Sequence, residues 1–198
     1  MTRISTARKS VAYYLTKPVV LLLAKTNLAP NVITWFGFLI SVGAAVLIVT
    51  EHLFAAGFVV LFAGFFDMLD GALARSTNRT TQFGAILDST LDRLADAGPL
   101  LGILILYARE QLVTEVLIVG LALVGSLTVS YIRARAEAAG LDCQVGLFTR
   151  AERVVILAVG LLLSQINYAL IIALAVILVL SFITVSQRLL YVWLQTKN

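Results

Sequence analysis

Charge is scarce in this sequence, and so are the side chains that carry much soluble-enzyme chemistry. Only 13% of the 198 residues are charged, against 60% hydrophobic. An ordinary soluble single-domain enzyme is excluded on that ground, because a folded chain of this size leaves a large surface that 15 basic and 11 acidic residues could not cover. Cys143 is the only cysteine, so no intrachain disulfide can form, and its place in a loop assigns no redox compartment. His52 is the only histidine; it stands beside Glu51 in a short polar turn, without the partners that acid–base work would need. Internal repeats and low-complexity tracts are also missing. A formal charge of +4 would suggest nucleic acid in a soluble chain. In a membrane protein it points instead to basic loops facing the cytoplasm and anionic lipid, and no nucleic-acid partner is expected.

What the sequence does have is long apolar runs. A membrane-spanning helix needs about 20 residues, so short-looped helices would nearly fill the chain and leave no room for a large extramembrane domain. The expected fold is an all-α polytopic membrane protein with six transmembrane helices, preceded by an N-terminal interfacial amphipathic helix. It forms one membrane domain over 1–198, divided into a juxtamembrane segment 1–29 and a six-helix core 30–198. The run Val11–Lys25 is broken by Lys17 and Pro18 and suits the interface better than a span. It carries no clear small-residue cleavage site and is read as retained. Spans are expected at Val32–Thr50, Leu53–Arg75, Phe83–Tyr107, Thr114–Arg133, Val154–Ile166 and Tyr168–Ser186. The fourth should run on as a helix through RARAEAA until Gly140. Of the 15 Lys and Arg residues, all but Arg93 and Arg109 fall on the N-terminal side of this arrangement. That bias places both termini in the cytoplasm.

Five of the 11 acidic residues, Asp67, Asp70, Asp88, Asp92 and Asp96, lie within the second and third spans. Each ionised carboxylate at hydrocarbon depth would cost several kcal/mol if it faced lipid. Asp67 and Asp70 are i,i+3 near the end of one helix, and Asp88 and Asp92 are i,i+4 near the start of the next. A short loop should make these helices antiparallel neighbours with four carboxylates facing one another. Cations would relieve the repulsion. Without histidine or cysteine nearby, an all-oxygen donor set favours Mg²⁺ or Mn²⁺ over zinc, and four carboxylates suffice for two divalent ions of the kind that handle phosphoryl groups. An Asp–Arg network using Arg75, Arg93 and Arg133, a proton relay, or a small cation transporter would also account for buried acids. Asp96, one turn beyond Asp92, could orient Arg93 or reinforce the site. Gly37, Gly43, Gly57 and Gly64 read as contacts between membrane helices.

The stretch DMLDGALARSTNRTTQFGAILDSTLD matches D-x₂-D-G-x₂-A-R-x₈-G-x₃-D-x₃-D through Asp67, Asp70, Gly71, Ala74, Arg75, Gly84, Asp88 and Asp92. In this it resembles the CDP-alcohol phosphatidyltransferase family, and the resemblance covers essentially the whole chain. It implies that Asp67, Asp70, Asp88 and Asp92 hold two divalent cations, Mg²⁺ or Mn²⁺, around a CDP diphosphate, with Asp92 also the general base. It places Asn31, Thr34, Gly71, Ala74, Arg75, Thr81 and Gly84 at the CDP-lipid site, and it implies a homodimer.

The acceptor is read from the basic residues at the ends of the last three helices. YIRARAEAAGL followed by RAERVVI resembles the prokaryotic phosphatidylinositol-phosphate synthase branch, with Arg133 where that branch often has lysine. This implies that Arg133, Arg153 and Arg188 hold the phosphate of inositol 1-phosphate, and that CDP-diacylglycerol is the donor. Phosphatidylglycerophosphate synthesis, or an archaeal-type lipid donor, stays open at this point. The site is expected at the cytoplasmic face of the cell membrane.

Overall fold

The computed structural model describes residues 17–20, 30–76 and 81–197, apart from the side chains of Pro30, Ala74 and Arg75. Residues 17–20 are helical. Six longer helices follow: α1 (Pro30–Val49), α2 (Leu53–Ser76), α3 (Gln82–Arg109), α4 (Val113–Ala138), α5 (Arg150–Leu162) and α6 (Ala169–Thr196). Most of the expected interfacial helix lies outside the described residues. Of its described part, Val20 packs into a small apolar cluster with Ile33 of α1 and Leu69 and Leu73 of α2.

Local chemistry accounts for most boundaries. α1 begins at Pro30, where the missing N–H would have no intrahelical partner in any case. The turn to α2 holds Glu51 at φ 66°, and the His52 N–H returns to the Leu47 carbonyl at 2.8 Å. His52 is exposed there beside the Thr50 hydroxyl, as its isolation suggested. The Thr81 hydroxyl caps α3 by accepting the Gly84 N–H at 3.0 Å. α4 continues through RARAEA to Ala138, and Gly140 follows with φ 75°. α5 departs from the expected Val154–Ile166: it starts at Arg150, because Glu152 reaches back to the Thr149 N–H at 2.7 Å in a capping box, and it ends at Leu162.

The expectation of six transmembrane helices is corrected. Among the described residues, four helices are long and apolar enough to cross a membrane: Asn31–Val49, Leu53–Leu73, Val113–Ala138 and Ala169–Thr196. α3 is long enough, but its first half carries Asp88, Asp92, Arg93 and Asp96. α5 has 13 residues, which at about 1.5 Å per residue falls short of a hydrocarbon core about 30 Å thick. Overall apolar composition concealed both facts. The chain is nonetheless a polytopic membrane protein, and its helices turn large apolar side chains outward, as Phe36, Leu39 and Val46 of α1 do.

The six helices close into a ring. α1 packs on both α2 and α3, α2 on α5, α5 on α6, α6 on α4, and α4 back on α3. Ile48, Ile103, Val119, Leu161, Leu174 and Ile177 form the main core between them. α2 and α3, although joined by a short loop, are not one of the closely packed pairs; α1 serves as neighbour to both. Small residues bring the ring together. A Cβ on Gly102 would lie 2.9 Å from the Ala45 carbonyl oxygen, and one on Gly160 would lie 2.5 Å from the Ala173 Cβ. Gly57 likewise abuts α5, but Gly43 has nothing within 4 Å and is no helix contact.

Gly160→Ala should therefore destabilise the protein by about 1–3 kcal/mol through overpacking at the α5–α6 seam, seen as a lower Tm in detergent. Ala173→Gly in the same chain should recover most of the loss.

Candidate active site

The acidic residues converge from two helices held apart by a third. Carboxylate oxygens of Asp67 on α2 and of Asp88 and Asp92 on α3 all lie within 4.8 Å of one another. Asp70 sits one turn along α2 from Asp67 and is 3% exposed. Its Oδ1 accepts the Gly71 N–H at 2.5 Å and its side chain is hydrogen-bonded to Thr34 of α1, whereas its buried Oδ2 has no partner among the described residues. A donor set of three close carboxylates, with a further buried oxygen uncommitted, fits a hard divalent cation.

Of the residues expected to line the CDP-lipid site, Asn31, Thr81 and Gly84 meet where α1 and α3 begin. Thr81 stands over the first turn of α3, and a Cβ on Gly84 would lie 2.8 Å from the Thr81 Oγ1 and 3.2 Å from the Asn31 Oδ1. Gly84 thus lets the start of α1 approach the start of α3. Thr34, one turn along α1 from Asn31, reaches Asp70. The side chains of Ala74 and Arg75 lie outside the description.

Arg150, at the first position of α5, provides the cation that the sequence argument did not place. Its Nη1 pairs with Asp67 and, at 3.0 Å, with Asp92, while its Nε donates to Asp96 Oδ1 at 2.8 Å. One guanidinium therefore ties α2 to α3 across the gap between them. Burial alone would lower the Arg150 pKa, but Asp96, Asp67 and Asp92 together raise it above its ordinary value, so it stays a cation. Asp96 also accepts from Arg153 Nη2 at 3.0 Å. The network is an Asp–Arg one, yet its arginines are Arg150 and Arg153. Arg93 turns back to the Ser89 carbonyl and Arg133 pairs with Glu137 at 2.8 Å. In the sequence, the Thr149–Glu152 capping pair was a signal that would have put Arg150 and Arg153 on one face at the start of a helix.

Two cavities meet at this network. One, of about 50 Å³, lies inside the ring and is lined from every helix, through Thr34, Asp67, Asp92, Ser126, Arg150 and Ile177. The other, of about 650 Å³, has Asp92 on its wall together with Arg133, Arg153 and Arg188. Arg153 is 5% exposed, with Nε and Nη1 buried and without partners among the described residues. Arg188 is equally buried; its Nε and Nη1 donate to the Val145 carbonyl at 2.9 Å and the Val129 carbonyl at 2.5 Å. The structure therefore brings together all three arginines expected at the acceptor, at a distance in sequence that no motif spans.

Comparison with known proteins agrees with this geometry. Residues 27–186 match the family model described as CDP-alcohol phosphatidyltransferase. The chain is 40% identical over 172 residues to the archaetidylinositol phosphate synthase of Methanothermobacter thermautotrophicus, covering 86% of each chain. Among solved structures, it is similar to Mycobacterium tuberculosis phosphatidylinositol phosphate synthase with CDP-DAG bound, with TM-score 0.82 and 38% identity over 90% of this chain and 93% of the other. It is also similar to that synthase in complex with manganese and citrate, with TM-score 0.81 and 39% identity over 90% and 88%. A family match over most of the chain, centred on a cluster of carboxylates suited to a divalent cation, places this membrane protein in the CDP-alcohol phosphatidyltransferase family, as a metal-associated enzyme of that type.

Proposed function

We propose that the enzyme transfers the phosphatidyl group of CDP-diacylglycerol to a hydroxyl of inositol 1-phosphate, releasing CMP and forming phosphatidylinositol phosphate. The observation that carries this reading is the larger cavity, where Asp92 shares a wall with three arginines suited to a phosphate already on the acceptor. The named relatives support it: one is an archaetidylinositol phosphate synthase, the other a phosphatidylinositol phosphate synthase with CDP-DAG bound.

Asp67, Asp70, Asp88 and Asp92 would hold two divalent cations, Mg²⁺ or Mn²⁺. When bound, these supply charge neutralisation to the diphosphate and to the departing CMP. Asn31, Thr34, Gly71, Ala74, Arg75, Thr81 and Gly84 line the CDP-lipid side. Arg133, Arg153 and Arg188 fix the acceptor phosphate and so aim its hydroxyl at Asp92. Asp92 takes the hydroxyl proton, the oxygen attacks the β-phosphorus, and CMP leaves with the electrons of the broken phosphoanhydride bond. No covalent enzyme intermediate is needed. The basic residues at the helix ends argue for both termini and the site at the cytoplasmic face of the cell membrane. The reading treats 1–198 as one membrane domain, with 1–29 juxtamembrane and 30–198 the helical core, that pairs as a homodimer.

Asp92→Asn should lower kcat for CMP release by about 10²–10⁴-fold, the usual worth of a positioned general base, with folding intact by thermal unfolding. Chelation of divalent cations should abolish release from the unaltered protein, and added Mn²⁺ should restore it. In a panel of inositol 1-phosphate, glycerol 3-phosphate, inositol and serine, product mass analysis should show phosphatidylinositol phosphate dominating. Predominant use of glycerol 3-phosphate would overturn the choice of acceptor. Repeating the panel with an ether-linked CDP-lipid reads the donor preference directly.

A further inference from the structure

We propose that Asp96 is a positioning residue that fixes Arg153 for the acceptor phosphate. The proposal rests on the reading of Arg153 as an acceptor-phosphate ligand. Asp96 lies outside the aspartate motif, one helical turn along α3 from Asp92 and on the same face. Its side chain is 11% exposed, and each of its oxygens is taken by a different arginine. Oδ1 accepts from Arg150 Nε at 2.8 Å and Oδ2 from Arg153 Nη2 at 3.0 Å. Those arginines are i,i+3 on α5, so the pair grips one carboxylate from a single helix face.

The two arginines line both cavities but make different further contacts. Arg150 extends from Asp96 to Asp67 and Asp92, inside the cluster that suits a divalent cation. Arg153 has a side chain 6% exposed, and after Nη2 is committed to Asp96 its Nε and Nη1 stay buried and, among the described residues, unpartnered beside the larger cavity. Leaving charged donors unsatisfied in a buried place is costly, and an anion with several acceptor oxygens relieves that cost. A counter-ion alone would need only to be near. Asp96 does more, because a hydrogen bond to one end of the planar guanidinium sets the direction of the remaining N–H groups. Asp96 thus links the residues that take the acceptor phosphate to those around its hydroxyl, through α5 and without touching substrate.

Steady-state kinetics on the purified full-length protein with Mn²⁺ test this, using inositol 1-phosphate or whichever phosphorylated acceptor the unaltered enzyme turns over. Asp96→Asn should raise the acceptor KM by roughly ten- to a hundredfold, the worth of one hydrogen bond between charged groups, while the CDP-lipid KM stays within about twofold. Asp96→Glu should recover part of the loss. Asp96→Asn combined with Arg153→Ala should raise the acceptor KM no further than Arg153→Ala alone. The proposal is overturned if Asp96→Asn leaves the acceptor KM unchanged, if both KM values rise together, or if the two substitutions add. A merely structural Asp96 would lower the amount of active protein, hence kcat, and leave both KM values alone, which also overturns it. If the unaltered enzyme accepts no phosphorylated acceptor, the fault lies with the proposed function, and that appears before any variant is made.

Discussion

Carboxylates brought close together in a medium of low dielectric repel one another, and the arrangement of this protein follows from how that repulsion is relieved. Asp67, Asp88 and Asp92 could not share a space a few ångströms wide without positive charge among them. Arg150 supplies part of it from the start of α5, and a divalent cation suits the rest. Both need room, and the ring provides it. Because α1 packs on α2 and on α3, those two helices are held at a fixed separation without closing on each other. The Ser41 hydroxyl, donating to the Ala95 carbonyl at 2.6 Å, ties α1 to α3 beside the gap.

The same ring gathers polar side chains from several helices around the acids. Asn31, Thr81 and Gly84 meet where α1 and α3 begin, and the arginines of α4, α5 and α6 line a cavity that has Asp92 on its wall. Asp92 belongs to both cavities. A group there can meet a lipid-borne diphosphate and a polar acceptor at once, which a transfer between two such partners requires. The outward faces stay apolar, so the bilayer solvates the helices and the polar work is confined to the ring's interior.

Some of this was legible because it is local. The spacing of Asp67, Asp70, Asp88 and Asp92 is a covalent property, and helical geometry turns it into a shared face without knowledge of anything else. The ends of α1, α2 and α4 follow from Pro30, the Thr50–His52 turn and Gly140 in the same way. Span number was not legible from composition, because α3 alternates acid with apolar residues and α5 is short. Arg150 and Asp96 stand 54 residues apart and meet only because α5 packs on α2 and points its first turn at α3. Arg93, adjacent to Asp92 in sequence, is turned away to its own helix. Proximity along the chain was a poor guide wherever two residues point to different faces.

The amino-acid sequence by itself determined the environment and the chemistry. Too little charge excluded water as the surrounding solvent, and the acids it does contain, with histidine and cysteine absent nearby, selected oxygen ligation and phosphoryl chemistry. Tertiary structure decided which cations answer those acids and which arginines line the cavity beside them. Arg150, Arg153 and Arg188 acquire their places from helix packing, since a long side chain on a membrane helix takes the partner that its neighbours bring within reach. That pairing depends on which helices touch, and helix order along the chain does not specify it.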